Sequence, residues 1–248
     1  MNDNDMVRII NVHKYFGKLH ALKGVNFHVD LNECVVIVGP SGSGKSTLLQ
    51  CLNCLELIQE GEIMMEDTVI TPTPTKHDIA KVRRKVGIVF QQYNLFPHLN
   101  VMRNITLALE VVQKVSRKEA EQIGRNLLGK FGLSDKADSF PAELSGGQQQ
   151  RVAIVRVLAM RPKILLFDEI TSALDPELVG EVIKAVEQLA DEGKTMIVVT
   201  HEMGFARKAA DRIVFMDDGK IIEEGTPDKI MEYPENERTK AFFSQVLS

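Results

Sequence analysis

The residues best suited to chemistry in this sequence are a glycine-rich run and, much later, two adjacent carboxylates. Residues 39–46 fit the pattern G-x-x-x-x-G-K-[ST], follow the apolar stretch 34–38 and open an apolar helical stretch. Gly39, Gly42 and Gly44 lack a Cβ, so backbone N–H groups can turn towards an anion, and the N-terminus of the following helix reinforces the site. The spacing predicts a phosphate-binding loop.

The polar side chains of this loop indicate that the anion is the polyphosphate of a nucleotide, bound with Mg²⁺. Lys45 supplies a cation to the β- and γ-phosphates, Ser46 a hydroxyl ligand for Mg²⁺, and Thr47 a contact to the α-phosphate. The predicted nucleotide contacts in this segment are Ser41, Gly42, Ser43, Gly44, Lys45, Ser46 and Thr47.

The two carboxylates, Asp168 and Glu169, directly follow an apolar run that predicts a buried strand. Ligands of α/β proteins bind at the carboxyl ends of such strands. Asp168 is therefore predicted to hold Mg²⁺, directly or through water, and Glu169 to polarise the attacking water. A strand that ends in two acids can also simply enter solvent, but the loop at 39–46 favours the functional interpretation. Kinases, GTPases, helicases and recombinases share both elements, so these predict nucleotide binding and not its purpose.

The elements that must position these groups alternate between strands and helices. Apolar runs predict buried strands at 34–38, 86–90 and 163–167. Between the last two strands, apolar residues at 101–131 recur at helical spacing. A helix at 176–190 and a final helix at about 235–247 follow the same pattern. This alternation implies a parallel sheet covered by helices and interrupted by a helical insertion.

The composition excludes several classes of protein. The net charge of −4 leaves no broad basic face, so no nucleic acid partner is expected. The longest apolar runs are far shorter than the roughly 18 residues that a membrane span needs, and the acidic N-terminus lacks the apolar segment of a secretory signal. Cys51 and Cys54 share a face of the helix after the loop, and without a second Cys or His pair they predict packing rather than a metal site.

Further motifs occur in the order typical of one family. They are Phe16, the loop at 39–46, Gln91, "LSGGQ" at 144–148, "LLFDE" at 165–169, "SALD" at 172–175 and His201. Over essentially its whole length the sequence resembles the nucleotide-binding subunit of an ATP-binding cassette (ABC) transporter. The resemblance implies an α/β fold. A P-loop NTPase (RecA-like) core with a mainly parallel sheet would span 1–91 and 160–248, with an N-terminal antiparallel β subdomain and an inserted α-helical subdomain at about 92–159.

The resemblance also implies roles for single residues. Phe16 occupies the place of the aromatic that stacks on adenine, with its neighbour Tyr15 as the competing candidate, and Ala21 should line the same pocket. Gln91 would coordinate Mg²⁺ and touch the attacking water, and His201 would reach the γ-phosphate. The implied catalytic residues are Glu169, His201, Lys45 and Gln91, and the implied Mg²⁺ ligands are Ser46, Gln91 and, through water, Asp168.

The signature motif is implied to act on a second copy of the chain. Ser145 as a helix N-cap, with Gly146 and Gly147 exposing N–H groups beside Gln148, would form a second anion site. In the family's head-to-tail homodimer, which depends on ATP, each ATP lies between the loop of one chain and the signature of the other. The loop formed by Ser172, Ala173, Leu174 and Asp175 would lie across that interface.

Segments such as "FQQYNLFPHLNVMRNI" and "THEMGFA" are similar to subunits of bacterial importers for polar amino acids such as glutamine, histidine or arginine. This similarity implies an integral membrane permease and an extracytoplasmic substrate-binding protein as partners, and a peripheral position on the cytoplasmic face of the inner membrane. A groove near residues 91–98 should receive a cytoplasmic helix of the permease. The alternatives are another transported substrate, export instead of import, and a non-transport cassette that tethers a membrane complex.

Three positions depart from the family pattern. Ile170 stands where proline is usual after the catalytic glutamate, and Val155 and Val157 stand where alanine is usual. Ile170 removes a fixed φ just before the dimer loop, and the valines add volume where helix packing prefers small residues. We expect ATPase activity to persist, because the implied catalytic and metal-binding side chains are intact: Lys45, Asp168, Glu169 and His201.

Overall fold

Two β-sheets organise the chain in the computed structural model, which describes residues 5–246. The first sheet is antiparallel and is formed by β1 (Asp5–Phe16), β2 (Leu19–Asp30), β4 (Glu60–Met65) and β5 (Thr68–Ile70). The strand order is β2-β1-β4-β5.

The second sheet carries the predicted buried strands. It is formed by β3 (Cys34–Val38), β6 (Val86–Val89), β7 (Ile164–Asp168), β8 (Thr195–Val199), β9 (Arg212–Asp217) and β10 (Lys220–Gly225). The order is β10-β9-β3-β8-β7-β6, and every neighbouring pair is parallel except β9 with β10. The predicted α/β fold with a mainly parallel sheet and an antiparallel β subdomain is therefore confirmed.

Helices connect many of the strands along the chain. They are α1 (Lys45–Leu52), α2 (Lys76–Lys85), α3 (Val101–Val111), α4 (Arg117–Lys130), α5 (Gly146–Ala159), α6 (Pro176–Asp191), α7 (Met203–Ala209), α8 (Pro227–Glu232) and α9 (Glu237–Val246). In α9 the helix predicted at the end of the chain is present, although its predicted last residue, Leu247, lies outside the described residues.

The central strand β3 shows why its residues are all apolar. Val35 and Ile37 pack in the core between the two sheets, whereas Val36 and Val38 pack against the helices on the other face. Because both faces are covered, no position on the strand faces water. This strand leads directly into the phosphate-binding loop. Because the strand is buried between packed layers, the start of that loop is held in a fixed position.

Helix α2 was not predicted from the sequence. It begins with a capping box between Thr75 and Asp78, and Val82 is its buried residue. A helix with one buried position has no apolar periodicity to detect. Its N-cap signal, a Thr three positions before an acid, is not followed by the apolar run that would mark a helix start.

The segment between β6 and β7 holds α3, α4 and α5 and two short 3₁₀ turns, Ser134–Lys136 and Pro141–Glu143. Within residues 5–246, no helix is long and apolar enough to cross a membrane. The packing role predicted for Cys51 and Cys54 is confirmed, since both thiols are free and buried. The predicted place of Cys54 on the helix after the loop is wrong, because α1 ends at Leu52 and Cys54 has a left-handed φ of 54°. Burial raises the pKa of Cys51 to about 12 and that of Cys54 to about 11.

Candidate functional site

The phosphate-binding loop joins β3 to α1 and is pressed against neighbouring strands. Gly39 has a φ of 148°, and a Cβ there would lie 2.0 Å from the carbonyl oxygen of Met216 on β9. Gly44 has a φ of 100°, and its Cβ would lie 2.8 Å from the carbonyl oxygen of Ala21 on β2. Only glycine fits these two positions. The glycines of the motif are therefore needed for the close packing of the loop against the strands as well as for phosphate binding.

The side chain of Lys45 folds back onto the loop that precedes it. It is 4% exposed, and Nζ donates hydrogen bonds to the carbonyl oxygens of Gly39 and Pro40, both at 2.9 Å. Burial lowers the pKa of Lys45, while the nearby carboxylates of Glu169 and Asp168 oppose that shift. A polyphosphate at the loop would supply further negative charge to a buried ammonium group and stabilise its charged form.

Asp168 and Ser46 meet at the end of β7. The Ser46 hydroxyl donates to Oδ1 of Asp168 at 2.7 Å, although the two residues are far apart in the sequence. Burial raises the pKa of Asp168, and Glu169 adds to the shift, whereas the Ser46 hydrogen bond and Lys45 oppose it. A buried carboxylate beside a hydroxyl is an oxygen donor set of the kind that Mg²⁺ prefers. These residues therefore fit the predicted metal.

Glu169 lies where the ends of β7 and β8 meet. Its φ of 47° is in the left-handed region, and its N–H donates to the carbonyl oxygen of Val199, the last residue of β8. Its Oε1 lies 3.4 Å from Nε2 of His201 and 3.9 Å from Nζ of Lys45. The unusual backbone conformation turns this carboxylate out of the strand direction, and strained residues of this kind are common at functional sites.

A cavity of roughly 470 Å³ adjoins the phosphate-binding loop. Phe16 lines it and is 41% exposed, and Nζ of Lys14 lies 4.6 Å from the centroid of its ring. Tyr15 does not line the cavity and instead stacks on His20, with 4.1 Å between ring centroids. The geometry therefore favours Phe16 over Tyr15 as the residue available to a nucleotide base.

The predicted residues divide into those that line the cavity and those that lie elsewhere. The residues lining it are Phe16, Ala21, Ser41, Gly42, Gly44, Lys45, Ser46, Thr47 and Glu169. Ser43 is buried within the loop, and Asp168 lies behind Ser46. Gln91 is exposed after β6, and His201 is exposed after β8, beside Glu169.

Sequence reasoning missed several residues of the cavity wall. They are Lys18, Leu19, His20, Lys23, Asp218 and Gly219. Gly219 lies in the turn between β9 and β10, where its N–H donates to the carbonyl oxygen of Ser43 and its carbonyl accepts from Lys23. The Asp-Gly pair at 218–219 is a hairpin signal. That signal locates the turn but not its contact with the phosphate-binding loop.

The signature motif begins α5. Ser145 is the N-cap: its hydroxyl accepts from the N–H of Gln148 at 3.2 Å, and the Gln148 side chain accepts from the N–H of Ser145 at 3.0 Å. Gly146 and Gly147 occupy the first turn. None of these residues lines the cavity beside the phosphate-binding loop of the same chain. The motif thus forms a helix N-terminus separate from that cavity, as the resemblance implies for a site completed by a second chain.

The loop at 172–175 connects Glu169 to α6. The Ser172 hydroxyl donates to the carbonyl oxygen of Glu169 at 2.7 Å, and the N–H of Leu174 donates to the carbonyl oxygen of Thr171. The backbone of this loop is therefore fixed by the residue that carries the candidate catalytic carboxylate, while Ser172 and Asp175 are exposed and Leu174 packs against the core.

The departures from the family pattern are absorbed by the core. Ile170 is 3% exposed and Val155 is fully buried, both in the core that covers the helical side of the sheet. Val157 packs onto β6 at Gly87, where a Cβ would lie 2.4 Å from its Cγ1. The extra volume of Val157 is thus accommodated by a residue that has no side chain.

Comparison with known proteins agrees with this geometry. The sequence profile of the ABC transporter family matches residues 22–172. The glutamine transport ATP-binding protein GlnQ of Geobacillus stearothermophilus is 54% identical over 98% of this chain and 100% of its own length. The glutamate transport ATP-binding protein GluA of Corynebacterium glutamicum is 51% identical over the same shares. A solved dimeric ATP-binding cassette in a post-hydrolysis state, bound to ADP and Pi, matches with a TM-score of 0.79 and 38% identity over 90% of this chain and 99% of that one.

Proposed function

The chain belongs to the ABC transporter family, and from this premise we propose that it is the ATP-hydrolysing subunit of a bacterial importer for polar amino acids. The observation that carries the proposal is the convergence of Ser46, Asp168, Lys45, Glu169 and His201 at one sheet edge beside the cavity that Phe16 lines. The names of the curated relatives support amino acids as the transported class.

The proposed binding of ATP follows from the shape of the site. The adenine ring stacks on Phe16. Because stacking contacts the flat face of the base and not its hydrogen-bonding edge, the site discriminates weakly among nucleotides. The triphosphate lies on the loop at 39–46 and pairs with Lys45. Ser46, Asp168 and Gln91 are the proposed holders of Mg²⁺, which when bound neutralises charge on the β- and γ-phosphates.

Hydrolysis is assigned to the groups beside the γ-phosphate position. Glu169 orients and polarises the attacking water through its carboxylate. His201, whose Nε2 lies 3.4 Å from Oε1 of that carboxylate, is the proposed contact of the γ-phosphate and the proposed partner that holds Glu169 in position. Lys45 stabilises the charge that develops on the transferred group.

We propose that the working unit is a head-to-tail homodimer. Each ATP then joins the loop of one chain to Ser145, Gly146 and Gly147 of the other, with the 172–175 loops crossing the interface. The separation of the signature from the same chain's cavity supports this arrangement, as does the dimeric state of the similar solved cassette. ATP favours the closed dimer and hydrolysis removes that preference, which shifts the population towards the open state.

A groove between α3, β6 and α5 is the proposed docking site for the permease. It has a volume of roughly 660 Å³, and Asn94 and Phe96 of the segment predicted to receive a permease helix line it. Its wall is mainly apolar, with Arg156 among its polar residues, so a helix with an apolar face and an acidic residue fits it. The permease would hold the chain at the cytoplasmic face of the inner membrane, in a system that also contains an extracytoplasmic substrate-binding protein.

The proposal is tested with a Glu169→Gln variant. This change should leave ATP binding intact, abolish turnover and trap an ATP-bound dimer, seen as a doubling of the 27.7 kDa monomer mass by light scattering. A Ser145→Arg variant should lose turnover while it still binds ATP as a monomer. Co-purification of the wild-type chain from native membrane should recover a permease. A Glu169→Gln protein that stays monomeric at saturating ATP would contradict the dimer.

A further inference from the structure

We propose that Tyr93 is a positioning residue that sets the first turn of α5 against the 172–175 loop. The signature and the 172–175 loop, which both face the second chain in the proposed dimer, are then held in a fixed position relative to each other. This inference rests on the proposed dimer and adds to it a residue that no family motif assigns.

The ring of Tyr93 fills the space beside the signature glycine. A Cβ built on Gly146 would lie 2.7 Å from Oη of Tyr93, 3.6 Å from its Cζ and 3.1 Å from Cδ2 of Leu174. Oη also donates a long hydrogen bond, 3.5 Å, to the carbonyl oxygen of Ala173. The phenol therefore touches the signature helix on one side and the 172–175 loop on the other.

The phenol keeps its proton in this place. Burial raises the pKa of Tyr93, and the carboxylate of Asp175 adds to the shift. A neutral hydroxyl can donate to a carbonyl oxygen, whereas a phenolate cannot. The bridge is thus present throughout the neutral pH range.

The backbone that carries Tyr93 is fastened to the body of α5. Gln150, fully buried on α5, donates from Nε2 to the carbonyl oxygen of Phe90 at 3.0 Å. Arg156, also on α5, donates to the carbonyl oxygens of Asn94 at 2.7 Å and of Tyr93 at 3.3 Å. Gln91 lies between these anchors. The segment that bears Gln91 is consequently bound to the same helix whose N-terminus is the signature.

Tyr93 thus joins three parts that the proposed function must move together. They are the Gln91 segment, the signature at the start of α5 and the 172–175 loop. Asn94 lines the proposed permease groove, so a change at that groove reaches Tyr93 through one peptide unit. A ring packed between Gly146 and the 172–175 loop can transmit such a shift because packed interfaces do not deform continuously.

The first experiment compares dimerisation with nucleotide binding. In the Glu169→Gln background, Tyr93→Ala should weaken ATP-dependent dimerisation by about tenfold, the order expected for coupled neighbours. ATP binding by the monomer should not change, because Tyr93 does not line the cavity. Tyr233→Ala, at a tyrosine that is 73% exposed and distant in sequence, is the matched control and should dimerise as the parent does.

The second experiment uses the clash at Gly146. Gly146→Ala should impair dimerisation, because the new methyl group lies 2.7 Å from Oη and displaces the tyrosine. Tyr93→Phe removes only the hydroxyl and leaves Cζ at 3.6 Å, an ordinary contact. The double variant Gly146→Ala/Tyr93→Phe lacks this clash but also lacks the hydrogen bond to Ala173, so it should dimerise better than Gly146→Ala and about as well as Tyr93→Phe alone. This rescue does not depend on whether Tyr93→Ala folds.

The outcomes separate this inference from the proposed function. Failure of the Glu169→Gln parent to dimerise refutes the proposed function itself. A parent that dimerises, together with a folded Tyr93→Ala variant that dimerises equally well, overturns the role of Tyr93. Absence of rescue in the double variant also overturns it, because the Gly146 methyl group would then act on something other than the hydroxyl.

Discussion

The contact between Gly87 of β6 and Val157 of α5 gives a quantitative test of how this chain tolerates a bulky residue on its helix. A Cβ on Gly87 would lie 2.4 Å from Cγ1 of Val157 and 3.0 Å from Cγ of Pro162. The first distance is to a branched side chain on a rigid helix and the second is to a closed ring. Neither neighbour is the free end of a flexible side chain, so Gly87→Ala forces the strand and the helix apart.

The expected energies follow from these contacts. Gly87→Ala should cost about 2 kcal/mol, within the range for an overpacked methyl group. Val157→Ala removes two half-buried methyl groups and should cost about 1 kcal/mol. The sum is about 3 kcal/mol, but the double variant should cost only about 1.5 kcal/mol, because Val157→Ala removes the closest clash and leaves that with Pro162. The coupling free energy is therefore about 1.5 kcal/mol.

The assay is denaturant-induced unfolding of the parent, the two single variants and the double variant. The free energies of unfolding in water are compared with one shared slope m for all four proteins. Gly180→Ala is the control, because Gly180 is exposed on α6 and a Cβ there would meet nothing within 4 Å. That change should stabilise the chain by up to about 1 kcal/mol through helix propensity. Additivity of Gly87→Ala and Val157→Ala to within about 0.5 kcal/mol would refute the reasoning.

Three further predictions concern the site. Phe16→Ala should weaken ATP binding by about tenfold through loss of stacking, while Tyr15→Ala should leave it nearly unchanged, as measured by fluorescent-nucleotide titration. Asp168→Asn should abolish turnover yet raise the melting temperature at neutral pH. The raised pKa means that the carboxyl of Asp168 holds its proton more tightly in the native state than in the unfolded state. The free energy of unfolding therefore falls as pH rises from the unfolded pKa through the native pKa, and asparagine removes this loss. An unchanged or lower melting temperature would contradict the prediction. Ile170→Ala should lower the free energy of unfolding by about 3 kcal/mol because the side chain is buried, and a cost below about 1 kcal/mol would mean that it packs loosely.

The sequence predicted the elements that carry nucleotide chemistry because their signals are local. The loop at 39–46 has its glycines, lysine and serine within eight consecutive positions, and β3 before it is apolar throughout. Asp168 and Glu169 follow β7 directly. The parallel order of the strands then places both groups at one edge of the sheet, as the alternation of strands and helices had indicated.

Other features could not be predicted in this way. Helix α2 has one buried residue and no apolar period, and the polar wall of the cavity around Gly219 comes from a hairpin turn with an ordinary sequence. The choice between Phe16 and Tyr15 was open in the sequence because the two are adjacent aromatics. Folding placed Phe16 at the cavity and Tyr15 against His20.

By itself the sequence determined the phosphate-binding loop, the carboxylates after β7, the signature helix cap and the alternation of elements. Each of these depends on residues that are close together in the sequence. Only the tertiary structure decided that Tyr93 lies beside Gly146 and that Gly87 makes room for Val157. Such contacts join residues tens of positions apart. Whether two of them meet depends on how every intervening element packs, and no local spacing records that.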